Sequence, residues 1–145
     1  ELGGDLIFLA PDGIRPIGET AKIGDVNLET VSKSIQKTIN NLIKLETLTE
    51  LSSVLIRTKS QFRYLFSDSA SLGLVGALRE GQGGFSFEFG QISGLTCTCA
   101  DSGYLDTDEV VLHGASSGKV FQQESGNAFD TSNIISIFKT PFIYM

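Results

Sequence analysis

Tryptophan is absent from this sequence, histidine and methionine occur once each, cysteine twice and proline three times. Two cysteines and three prolines in 145 residues exclude a disulfide-rich or collagen-like chain, and a 41% hydrophobic content excludes a disordered one. No third or fourth cysteine completes a zinc site. Long apolar runs are also missing. The longest candidates, Asp5 to Ala10 and the mixed stretch Ile134 to Met145, fall well short of the roughly 20 residues of a membrane helix. No basic stretch followed by an apolar one reads as a signal peptide. Positive charge is scarce too: eleven Lys plus Arg stand against seventeen Asp plus Glu, a net charge of −6. A dedicated nucleic-acid grip needs a basic stripe, so this balance argues against one, though not against a surface that nucleic acid merely passes. What remains fits one domain with a real core.

The strongest internal signal is a recurring strand–turn–strand layout. Leu6 to Ile17 turns at Pro11-Asp12-Gly13, Val54 to Leu65 at Lys59-Ser60-Gln61, and Val111 to Phe121 at Ser116-Ser117-Gly118. Each turn suits a short hairpin loop with one position at positive φ. The copies start 48 and then 57 residues apart (6 to 54, 54 to 111). Propeller blades recur about every 40–50 residues, so the pattern predicts a mainly β, antiparallel, propeller-like fold. Residues 5–17, 51–67 and 108–123 are each predicted to pair as adjacent strands.

The intervening sequence keeps the same rhythm. Leu74 to Arg79 and Phe85 to Phe89 flank Gly81-Gln82-Gly83-Gly84, a hairpin signal, and Phe85, Phe87 and Phe89 alternate with Ser86 and Glu88. Leu95, Cys97 and Cys99 are predicted to share one strand face. From Asn133 to Phe142 the alternation is weaker, and Pro141 suits a sheet edge. One segment departs from β. Val31, Ile35, Ile39, Leu42 and Ile43 are spaced by three and four, which predicts an amphipathic helix over about residues 30–44. Asn27, Thr30 and Ser32 are all candidate caps. Its apolar stripe is expected to pack on the chain's own sheet rather than on a neighbouring subunit.

Few residues carry chemistry. His113 serves a Ser-His-Asp set only if an acid and a serine converge on it, and its place mid-strand beside Gly114 suits a structural role. Cys97 and Cys99, two apart on a strand, have Cα atoms about 6.5–7 Å apart, at the limit of disulfide geometry. They read as reduced core thiols made in a reducing cytoplasm. The stretch Asp101 to Glu109 is the densest in acid. Its spacing matches no EF-hand loop, and it reads as a solvated connection rather than a calcium site. Gly81 to Gly84 lacks the lysine and helix of a phosphate-binding loop. Arg57, Lys59, Arg63 and Arg79 form a modest basic cluster, expected to be solvated or at a subunit contact. No catalytic, cofactor-binding or metal-ligating residue is expected, and the chain does not read as an enzyme.

Several short segments, in order, resemble the tail-tube proteins of short-tailed bacteriophages (tail nozzle, tail tubular B or tail stabilisation proteins). They are Gly4 to Ile17, Gly24-Asp25-Val26, Val31-Ser32-Lys33, Ile35-Gln36, Ser60 to Tyr64, Ser102-Gly103-Tyr104, Val111 to Gly114, Gly118 to Glu124 and Thr140-Pro141-Phe142. The chain departs from the family in lacking a tryptophan between Phe85 and Phe89. Ser34 also stands where the family often has proline, which permits the longer helix. The resemblance implies a virion structural protein, made in the host cytoplasm and assembled as a homo-oligomeric ring, usually a hexamer. That ring continues the portal and adaptor channel and retains or passes the genome without binding it specifically. It implies no cofactor. On this reading residues 1–145 are part of a β-propeller-type domain of a longer chain, as the apolar series Ile137 to Tyr144 also suggests. The alternatives from other classes are a ligand- or carbohydrate-binding propeller or sandwich module, and a receptor-binding or decorating virion protein.

Overall fold

The structure is a computed structural model that describes residues 6–17, 30–45, 51–66, 72–81, 84–129 and 132–134. Along the chain lie β1 (Ile7–Ala10), β2 (Gly13–Pro16), a 3-10 turn (Lys33–Ile35), α1 (Gln36–Leu45), β3 (Ser52–Ile56), β4 (Gln61–Leu65), β5 (Leu72–Gly81) and β6 (Gly84–Ser93). Then follow β7 (Cys99–Leu105), β8 (Asp108–Gly114), β9 (Val120–Gln122), β10 (Ala128–Phe129) and β11 (Ser132–Asn133). All the strand pairs are antiparallel, and the fold is mainly β with one short helix.

The three repeated hairpins form where the turn residues place them. β1 pairs with β2, β3 with β4, and β8 with β9. Each turn holds one residue at positive φ: Gly13 at 137°, Ser60 at 47° and Gly118 at 79°. At Gly13 a side chain is excluded twice over, because a Cβ would also lie 2.7 Å from the Ser32 hydroxyl.

A four-stranded sheet, in the order β3-β4-β5-β6, forms the middle of the molecule. Period-two alternation gives it two different faces. On one, Phe62 meets Tyr64, Phe87 and Phe89 edge-on, with ring centroids 5.3, 6.4 and 6.4 Å away. Gly76 is the cross-strand partner of Phe62, and a Cβ there would lie 2.3 Å from its ring. The glycine is therefore the seat of the phenylalanine. Ile14 from β2, with Ile39 and Leu42 from α1, closes over this face, as the spacing of the helix predicts. Each such buried side chain contributes about 1.5–3 kcal/mol. Ser32 stands at the N-cap of the 3-10 turn, yet its hydroxyl makes no capping bond; it accepts the Ile14 N–H at 2.9 Å. The candidate cap thus ties the helix entry to the first hairpin.

The opposite face of the sheet presents Val54, Ile56 and Leu65, which pack with Cys97 and Val111. The covering layer is a three-stranded sheet in the order β7-β8-β9. Two side chains at the sheet edges link the layers. The Ala100 N–H donates to Ser52 Oγ at 2.8 Å, and the Ser102 hydroxyl donates to the Leu55 carbonyl at 2.5 Å.

Two expectations require correction. Leu95, Cys97 and Cys99 do not share a strand face, because the strand begins only at Cys99. Cys97 is buried and Cys99 exposed, and neither is in a disulfide. The Cys97 thiol points back to donate to the Cys99 carbonyl, so the chain turns there instead of running straight. Asp101 to Glu109 is largely solvated, as expected, but it is not a connection between strands: it is two paired strands around a tight turn, with Asp106 at φ 56°. The short segments from 18 to 29 and from 135 to 145, including Gly24-Asp25-Val26, the candidate cap Asn27 and Pro141, lie outside the described residues.

Candidate functional site

The basic cluster of the second hairpin is neutralised within the chain. At its turn, one Glu109 carboxylate oxygen accepts the Arg57 N–H at 2.8 Å. The other accepts the Thr58 N–H at 2.8 Å and the Thr58 hydroxyl at 2.6 Å. The Glu109 side chain is only 2% exposed. Burial pushes its carboxyl up, but the hydrogen bonds from Thr58 and Arg57, helped by the Arg57 charge, outweigh burial and hold it below the ordinary carboxylate value. Glu109 sits on β8, so an acid of the third hairpin grips the turn of the second.

A second grip lies nearby. Glu124, at φ 59°, pairs with both Lys59 and Arg63. Burial again pushes this carboxyl up, while the bonds from Lys59 and Arg63 prevail and lower it. Arg63 is buried within β4. Its Nε and Nη2 donate to Gln61 Oε1 at 3.0 and 2.8 Å, and its Nη1 donates to Gln123 Oε1 at 2.5 Å. Three of the four basic residues thus have intrachain partners; Arg57 and Lys59 remain solvated as expected, and only Arg63 departs from that expectation by being buried. Arg79 remains exposed.

His113 is almost fully buried on β8 and stacks on Phe121, with ring centroids 5.4 Å apart. Burial pushes its pKa below the ordinary imidazole value, which favours a neutral ring. Beside it opens a cavity of about 320 Å³ whose wall includes Arg63, Gln123 and Glu124 on one side and Val75, Ile92 and Leu95 on another. Sequence reasoning did not bring these residues together. Gln122, Gln123 and Glu124 at the end of β9 and just beyond are all polar, and nothing local marked Gln123 as the one that turns inward.

The remaining candidates gather no shared chemistry. Among the described residues no three His, Cys, Asp or Glu side chains stand close enough to hold a metal ion. The outer face of the three-stranded sheet instead carries exposed apolar side chains, Leu105, Leu112 and Val120 at 71%, 43% and 70%, interspersed with Asp101, Asp108 and Gln122. No helix among the described residues is long and apolar enough to cross a membrane. Comparison with protein-family models, with curated proteins and with solved structures gives no match to this chain.

Proposed function

We propose that the chain is a structural segment of a phage tail nozzle, contributing propeller-type blades to a ring around the genome channel. The observation that carries this reading is the set of three large apolar side chains left exposed on the outer face of the β7–β9 sheet. Leu105, Leu112 and Val120 stand there among Asp101, Asp108 and Gln122, and apolar groups within a polar surround suit a contact with another subunit. Three further features support it. The short resemblances follow the family's order through the chain. Successive antiparallel hairpins stack in layers, with the four-stranded sheet between the first hairpin and the third, as consecutive blades would. The net charge of −6, with Arg57, Lys59 and Arg63 paired to carboxylates of the chain, argues against strong retention of phosphates, which suits a wall that DNA slides past. A ring of identical subunits then needs heterologous contacts that close.

Negative-stain or cryo-electron microscopy of the full-length protein, alone and on particles, tests this. Rings on the tail axis are expected. Peripheral fibres or knobs would replace the reading with a receptor-binding or decorating role, and persistent monomers absent from particles would remove it.

A further inference from the structure

We propose that the cavity beside His113 binds a small aliphatic monocarboxylate, its carboxylate held by Gln123 and Arg63 and its tail by Val75, Ile92 and Leu95. The volume, about 320 Å³, lies at the lower end of the range of small-molecule sites, roughly 300–1,000 Å³. The wall has the two characters such a ligand needs. Val75, Ile92, Leu95 and Ala128 line it with apolar surface, and polar groups converge from β4 and the turn after β9.

The polar end is built rather than incidental. Gln123 is only 8% exposed, and its buried Nε2 finds no hydrogen-bond partner among the described residues. Leaving such a donor unmade costs about 1–3 kcal/mol, so a bound acceptor there is worth more than one at the surface. Its Oε1 is already taken by Arg63 Nη1, which fixes the amide so that the two Nε2 hydrogens remain for a ligand. The wall holds one cation and one carboxylate, Arg63 and Glu124, and of the two the guanidinium is the buried one, 9% exposed against 41%. His113 adds no charge while its ring is neutral. A carboxylate oxygen accepting from Gln123 therefore lies beside a buried guanidinium whose own carboxylate partner is screened by solvent, an arrangement that favours a charge-assisted bond. The φ of 59° at Glu124 supports the same view, because a non-glycine residue held there positions the carboxylate that orients Arg63. This inference is independent of ring assembly and is tested on the full chain.

The test is titration of the full chain with 4-methylpentanoate, followed by nuclear magnetic resonance. Saturable shifts of the Gln123 side-chain amide and of the Val75, Ile92 and Leu95 methyls are expected. The isosteric alcohol, 4-methylpentan-1-ol, is expected to bind at least about tenfold more weakly, because it lacks the charge. Gln123→Glu exchanges the two donors for an anionic acceptor and is expected to weaken carboxylate binding about tenfold or more. Should that variant not fold, Ala128→Phe, at an exposed position on the rim, is expected to block the cavity. Absence of saturable shifts, equal affinity for acid and alcohol, or undiminished binding in a folded variant would each overturn the proposal.

Discussion

The two faces of the central sheet are held by different physics. One buries aromatic rings and the helix's aliphatic side chains, and Ile14 ties it to the helix entry, its N–H donating to the Ser32 hydroxyl and its carbonyl accepting the Val31 N–H. The other buries a smaller cluster, Val54, Ile56, Leu65, Cys97 and Val111, and adds the carboxylates of Glu109 and Glu124 at its rim. Burial is itself non-directional, and on the aromatic face alignment comes from shape, Phe62 fitting over Gly76. The Glu109 grip is directional: three donors from two adjacent residues locate β8 against the β3–β4 turn. Where apolar area is small, hydrogen bonds supply the alignment that a large core gets from shape.

The comparison breaks most severely at Phe62. Phe62→Ala is expected to cost about 3–5 kcal/mol in denaturant unfolding, because it empties the centre of the aromatic cluster. Gly76→Ala alone should also destabilise, since its methyl overlaps the ring. The double variant should be less damaged than the sum, because the new methyl enters the vacated space. Strict additivity in this cycle would show that Gly76 does not seat Phe62.

Glu109→Ala should cost less, about 1–3 kcal/mol, and act on one face only. Hydrogen exchange is expected to quicken over β7 and β8 while the amides of β4 and β5 stay protected. Uniform loss of protection would show that the two faces unfold as one unit.

The same comparison has a pH signature. Burial lowers the folded-state pKa of His113 below its ordinary 6.5, so the unfolded chain binds the extra proton first. The stability tied to neutral His113 is present above pH 6.5 and is lost as pH falls toward the folded value. Glu109 and Glu124 are also lowered, from an ordinary 4.5, and their contribution is lost only below that value. Two acid steps should therefore appear in the unfolding midpoint, and His113→Phe should remove the upper one. Retention of the upper step in that variant would assign it to another group.

Lys59→Ala should have the smallest effect, below about 1 kcal/mol, because Lys59 and Glu124 are both well exposed. A larger loss would place more weight on the polar rim than the structure assigns it.

Much of the fold was legible in the residues themselves. The turns at Gly13, Ser60 and Gly118 lie where short-range conformational preference puts them, and positive φ at each is a local property. The helix was legible for the same reason: a stripe spaced by three and four buries one side of a helix whatever it meets. The face shared by Cys97 and Cys99 was misread, because alternation was extended through a segment where the backbone turns. The acidic stretch was misread because charge density says nothing about whether strands pair beneath it.

The basic cluster shows the limit most clearly. Arg57, Lys59 and Arg63 were visible as a group, but their partners, Glu109 and Glu124, lie some fifty or more residues further along the chain. The same holds for the cavity, which joins β4, β5 and β6 to the turn after β9. Local sequence determined the hairpins, the helix and the alternation of faces, because each depends on interactions among neighbours a few residues apart. Only the tertiary structure decided which carboxylate meets which cation, which glycine seats which ring and where a space is left, because these follow from how sheets stack, and no short-range preference encodes that geometry.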